Sequence, residues 1–127
     1  MKNIKKATIE ELLKAQNVNV SNEMYYDSVE LNMRFDFERV KTSKVMDIMT
    51  DIAENKIEVY EACLYLIYIS VPMLRNQQLQ EKYKINGNPY EVVEHVFNSN
   101  VMEINQFGTK ILNIYGFTRD RINAIKK

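Results

Sequence analysis

Glu91, Glu94 and His95 are the closest this sequence comes to a ligand set: at i, i+3 and i+4 they can share one face of a helix. A zincin helix carries two histidines, and here Glu91 stands in the place of the first. His95 is the one His of the chain, so no second imidazole exists to complete a site, and the cluster reads as a partly solvated helix face. Cys63 sits in an apolar run with no His, Lys or Arg within a helical turn to lower its pKa, which describes a structural thiol and not a nucleophile. Asp36 and Glu38 share the polar face of a strand with Arg34, an arrangement of solvated pairing without the cleft that two-carboxylate hydrolysis needs. Tyr60, Tyr65 and Tyr68 have the spacing of core residues whose hydroxyls reach partners. There is no Gly-rich phosphate loop. From these residues the expectation is no catalytic group, no metal and no cofactor, and their chemistry alone does not say what the protein does.

Composition narrows the partners. The chain has 127 residues, 17 Lys+Arg and 17 Asp+Glu, and this zero net charge argues against duplex nucleic acid or anionic lipid as a partner. The charge is unevenly placed: residues 21–100 hold eight basic and thirteen acidic side chains, an acidic body between two basic ends. Lys2, Lys5 and Lys6 with Arg119, Arg121, Lys126 and Lys127 lack interleaved aromatics and read as solvated tails. The longest uncharged stretch, Ala62 to Leu74, spans 13 residues and contains Pro72, so it reads as core and not as a membrane span. Acidic Glu10 and Glu11 interrupt any secretory h-region, and a cytosolic location is expected.

Three Gly and two Pro leave little room for the turn-rich grammar of a sandwich and favour helices. Thr8 and Glu11 form a capping-box pattern ahead of Ile9, Leu12 and Leu13, which predicts a short helix over 8–16. Val29, Leu31, Met33, Phe35 and Phe37 alternate with polar residues, predicting a strand; Met24-Tyr25-Tyr26 ahead of Asp27-Ser28 supplies its partner in a hairpin over 23–38. Thr42 or Ser43 then caps an amphipathic helix over 43–54 with Val45, Ile48, Met49, Ile52 and Ala53 inward. A helix from Ile57 to Ser70 is apolar nearly all round and should be central. Ser70 is read as the cap of a helix running past Pro72 to about Tyr83, Asn88-Pro89 as the start of one ending at Phe97, and Ser99 as the cap of one ended by Gly116. The fold class expected is mainly α: a compact multi-helix domain with a small N-terminal β-hairpin, one domain over 1–127 with its helical core at 43–116 and a basic tail at 117–127.

The order of features matters more than any one of them. A charged N-terminal helix is followed by Phe35-Asp36-Phe37-Glu38-Arg39 and an acidic helix. Then come Leu66-Ile67-Tyr68-Ile69-Ser70-Val71-Pro72-Met73-Leu74-Arg75, Pro89-Tyr90-Glu91-Val92-Val93 and Ile111-Leu112-Asn113-Ile114-Tyr115-Gly116. Over roughly residues 1–116, this order resembles the small tail assembly chaperones of tailed bacteriophages and of defective prophages in Gram-positive bacteria. The resemblance implies a non-enzymatic protein that binds the helical, apolar tape-measure protein and keeps it soluble in the bacterial host cytoplasm while tail tube subunits polymerise. It also implies absence from the mature virion, with the tail tube protein and a second copy of the chain as further possible partners. Two other classes stay open: a small helical DNA-binding regulator, with 43–54 and 57–70 as helix-turn-helix, and a structural tail-completion or connector protein.

The expected contact surface combines two features. Helix 43–54 turns Asp47, Asp51 and Glu54 outward, and the interruption at Pro72 brings Met73, Leu74 and Arg75 to the edge of the core. An apolar edge rimmed by charge suits a reversible partner. The competing reading is that Leu74 packs inside and the acids are only solvated.

Overall fold

The computed structural model describes residues 6–14 and 24–117. The expected basic patch, apart from Lys6, and the tail beyond Phe117 lie outside the described residues. The helices are α1 (Ile9–Lys14), α2 (Thr42–Ala53), α3 (Val59–Ser70), α4 (Gln77–Lys82), α5 (Glu91–Val96) and α6 (Val101–Ile114), and a hairpin of β1 (Tyr25–Ser28) and β2 (Met33–Asp36) precedes α2. The mainly helical character and the small hairpin are as the sequence predicts.

Helix α3 is the centre. Ala62, Cys63, Leu64, Leu66, Ile67 and Ser70 are all buried, covering most of its circumference. It runs against α6 so closely that a Cβ placed on Gly108 would lie 2.4 Å from Cys63 Sγ and 2.7 Å from its Cβ. Gly108 therefore serves by lacking a side chain, in the middle of a helix where glycine is otherwise unfavourable. The crossing buries Ile104, Phe107, Ile111 and Leu112 on α6. Helix α2 adds Val45, Ile48, Met49 and Ile52 as the periodicity predicts, while Ala53 is exposed.

The hairpin differs from the sequence reading. Tyr25 pairs with Asp36 and Ser28 with Met33, so Val29–Asn32 form the turn, and the partner strand, expected at Met24-Tyr25-Tyr26, runs on through Asp27-Ser28. Two local devices place it there: Ser28 Oγ accepts from the Leu31 N–H at 3.1 Å, and Asn32 takes a left-handed φ of 53°, a conformation asparagine tolerates. The alternation of Val29, Leu31 and Met33 thus imitates a strand over residues that are half turn, and Val29 is 88% exposed. Arg34 finds its acid across the hairpin: it makes a bidentate pair with Asp27 at 2.7 and 3.0 Å, not with Asp36 or Glu38.

Several caps move by one or two residues. Helix α2 starts at Lys41 with no side-chain cap, in place of Thr42 or Ser43. Asn100, not Ser99, caps α6, its Oδ1 accepting from Glu103 N at 3.1 Å. Asn outranks Ala-like or displaced alternatives here because its short acceptor reaches the free N–H groups, whereas Ser99 is held at a φ of 57° one residue too early. At the far end, Gly116 N–H donates to Asn113 O and Phe117 N–H to Leu112 O, with Gly116 at a φ of 91°: a Schellman stop where the sequence placed it.

Ser70 does not cap a new helix; it is the last residue of α3, fully buried, with its Oγ unpartnered among the described residues. Pro72 forces Val71 into an extended conformation (φ −112°, ψ 97°), and a 3-10 turn, Pro72–Arg75, follows before Asn76 caps the short α4.

A Gly108→Ala substitution separates this packing from intrinsic propensity. At an open mid-helix site the change gains about 1 kcal/mol. Here it forces a methyl into Cys63 and is expected to lower stability by about 1–3 kcal/mol, read as a lower urea midpoint by circular dichroism.

Candidate functional site

The 3-10 turn decides where the expected contact residues go. Successive side chains of such a turn point about 120° apart, so three adjacent residues cannot share an edge. Met73 is 60% exposed, Leu74 is 1% exposed inside the core, and Arg75 turns back onto α3. The reading of Leu74 as an edge residue is thereby corrected, and Met73 and Arg75 line two different hollows.

Arg75 has a structural task that follows from Pro72. Proline has no N–H to give to the carbonyl of Tyr68, four residues back. Arg75 Nη1 donates instead to Tyr68 O at 3.0 Å and to Ile69 O at 2.8 Å. Val71 N–H serves Ile67 O and Glu38 N–H serves Ser70 O, so the last four carbonyls of α3 are all satisfied.

Met73 lines an apolar groove of about 270 Å³ together with Leu31, Met33, Leu79, Tyr83 and Val96, with Phe35 and Leu74 at its floor and Lys82 at its rim. Three separate parts of the chain build it: the hairpin, the stretch from the 3-10 turn through α4, and the end of α5. Met33 is 59% exposed, so two thioethers stand open at this groove. Sequence reasoning missed the hairpin wall, because Leu31 and Met33 were read as one face of a regular strand.

The hairpin is held in place by α6. Tyr26 stacks on Phe107 at 4.6 Å, and Phe35, Phe37 and Phe97 surround the same ring at 6.0–6.1 Å. Beside them Glu103, 7% exposed, accepts from Tyr26 Oη at 2.9 Å and from Ser28 Oγ at 3.0 Å. A buried carboxylate is costly unless hydrogen-bonded, and two hydroxyl donors with a position in the first turn of α6 meet that need. Burial and this carboxylate raise the Tyr26 pKa above the ordinary tyrosine range.

The Glu91, Glu94 and His95 trio disperses. Tyr60 Oη donates to Glu94 at 2.6 Å, and Tyr90 Oη donates to Glu61 at 2.7 Å, two bonds in opposite senses that join α3 to α5 and its entry. His95 is exposed and stacks on Tyr83 at 5.4 Å, while the Glu91 carboxylate lies against Gly87. Among the described residues no group of three His, Cys, Asp or Glu side chains is placed to hold a metal. Cys63 is fully enclosed, and desolvation pushes its thiol up to about 12. Of the acidic set, Asp47 and Glu54 are exposed and Asp51 is half-buried; Glu54 pairs with Lys56 at 2.9 Å. None of the three acids lines either hollow.

No family model, no curated protein and no solved structure matches the chain. Among the described residues no helix is long and apolar enough to cross a membrane.

Alkaline pH tests the buried hydroxyls. Tyr26 and Tyr60 have folded-state pKa values raised above the ordinary value of 10.0, so the unfolded chain loses these protons first. The stability they contribute is complete below pH 10 and is lost as pH rises further. The urea midpoint should fall between pH 9 and pH 11, and less steeply in Tyr26→Phe, a change that leaves no group to ionise there.

Proposed function

We propose that this protein is a non-enzymatic assembly chaperone that binds the tape-measure protein of a phage or prophage tail and keeps it soluble in the host cytoplasm until the tube encloses it. The groove between the hairpin and Met73 carries this reading. It offers an apolar strip bordered by two exposed methionines, and an amphipathic helix lays its i, i+3, i+4 stripe into a recess of this kind. Thioether side chains repack at low cost around different apolar residues, which a chaperone of a long and varied helix requires. Release is built into such a contact, since a recess of about 270 Å³ takes one or two side chains at a time.

The rival reading as a DNA-binding regulator meets an obstacle in α3. That helix would have to enter the major groove, but its faces are occupied by α2, α5 and α6 and six of its residues are buried.

Met73→Glu and Met33→Glu test the reading, because both side chains are more than half exposed and their replacement should leave the helicity and thermal midpoint unchanged. Each variant is expected to solubilise co-expressed tape-measure fragments about ten-fold less well than the parent, the scale of a central contact residue. Undiminished capture by both stable variants would remove the groove from the account. Arg75 is a poor test residue, since its loss frees two carbonyls of α3.

A further inference from the structure

The second hollow, on the other side of the 3-10 turn, has a different chemistry. Lys41, Lys44 and Arg75 converge on a recess of about 380 Å³ whose remaining lining is Val40 and Ile69, both half-buried. No carboxylate lines it. Among the described residues the ion pairs are Arg34–Asp27 and Lys56–Glu54, so all three cations of the recess lack a salt-bridge partner. This is notable in a stretch, residues 21–100, where acids outnumber bases thirteen to eight.

The elements set where these three side chains begin, and one of the charges is anchored. Arg75 is anchored by its two bonds to the end of α3. Lys41 is the N-cap of α2 and Lys44 lies in its first turn, where no acidic side chain is present to neutralise them. Val40, held by its N–H donating to Tyr115 Oη at 2.8 Å, and Ile69 supply an apolar floor between the charges.

We propose that this recess is a binding site for an acidic peptide segment of a partner protein, with carboxylates on Lys41, Lys44 and Arg75 and an aliphatic side chain between them on Val40 and Ile69. The chemistry favours a peptide over a nucleic acid. A polyanion needs a basic track along many phosphates, whereas here a small cationic hollow is set in a net acidic body that repels a long polyanion. The apolar floor also has no use for a phosphate and a direct use for a leucine or valine beside a glutamate. The site is independent of the groove at Met73, and with both occupied the protein is bivalent.

The test uses the full chain and a fluorescein-labelled peptide carrying Glu-Leu-Glu in a serine-alanine background, followed by anisotropy at low salt. Lys41→Gln with Lys44→Gln is the variant of choice, because both lysines are exposed and neither makes a bond the fold needs. Binding is expected to weaken about ten-fold in this double variant, the effect of two exposed ion pairs, and to weaken again when the peptide leucine becomes alanine. It should be unchanged in Met73→Glu, which separates this site from the groove. The proposal is overturned if the parent does not bind the peptide, or if the double variant binds as well as the parent. It is equally overturned if inorganic phosphate displaces the peptide at the peptide's own affinity, or if a single-stranded oligonucleotide binds more tightly.

Discussion

How closely α3 and α6 can approach governs most of what this structure does. Gly108 removes the Cβ that would otherwise collide with Cys63, and the two helices close over the core. Only with α6 so seated does Phe107 reach the middle of the aromatic cluster, fully buried, and only then does Glu103 lie under Tyr26 and Ser28. The hairpin has two strands of four residues each, too little to stand alone, so it depends on this support from α6. Leu31 and Met33, one wall of the groove, ride on that hairpin. A contact between a cysteine and a glycine thus reaches the surface through an aromatic stack and a buried carboxylate.

A second constraint acts from Pro72. By withholding one N–H it ends α3, and the chain answers with a 3-10 turn and an arginine that supplies the missing donor. The same turn parts Met73, Leu74 and Arg75 among groove, core and basic recess. One proline therefore sets the boundary between two surfaces of opposite character, apolar on one side and cationic on the other.

Much of this was legible in the residues. The apolar stripe of α2, the all-round apolar character of α3 and the Gly116 stop are local patterns, and each appears in the structure. The hairpin was legible as an element but not in register. Alternation of apolar and polar residues continues through Val29–Asn32, and only the Ser28 hydroxyl and the left-handed Asn32 reveal the turn. Gly108 carries no local signal, because its reason lies on another helix, at Cys63. The grouping of Met73 with Arg75 failed for a geometric reason: it assumed neighbours in sequence are neighbours on a surface, which holds at a helix edge and not in a 3-10 turn. The Glu103 pin joins residues 75 and 77 positions apart, beyond any local pattern.

The dependence of the groove wall on α6 can be measured directly by amide hydrogen exchange in the parent and in Glu103→Ala. Removing the carboxylate leaves the hydroxyls of Tyr26 and Ser28 buried without their acceptor, while the Asn100 cap of α6 uses only the backbone N–H of residue 103 and persists. The account predicts that protection falls across residues 25–36 and holds in the α3 and α6 segments around Cys63 and Gly108. Unchanged protection of the hairpin, or an equal loss in α3 and α6, would contradict it.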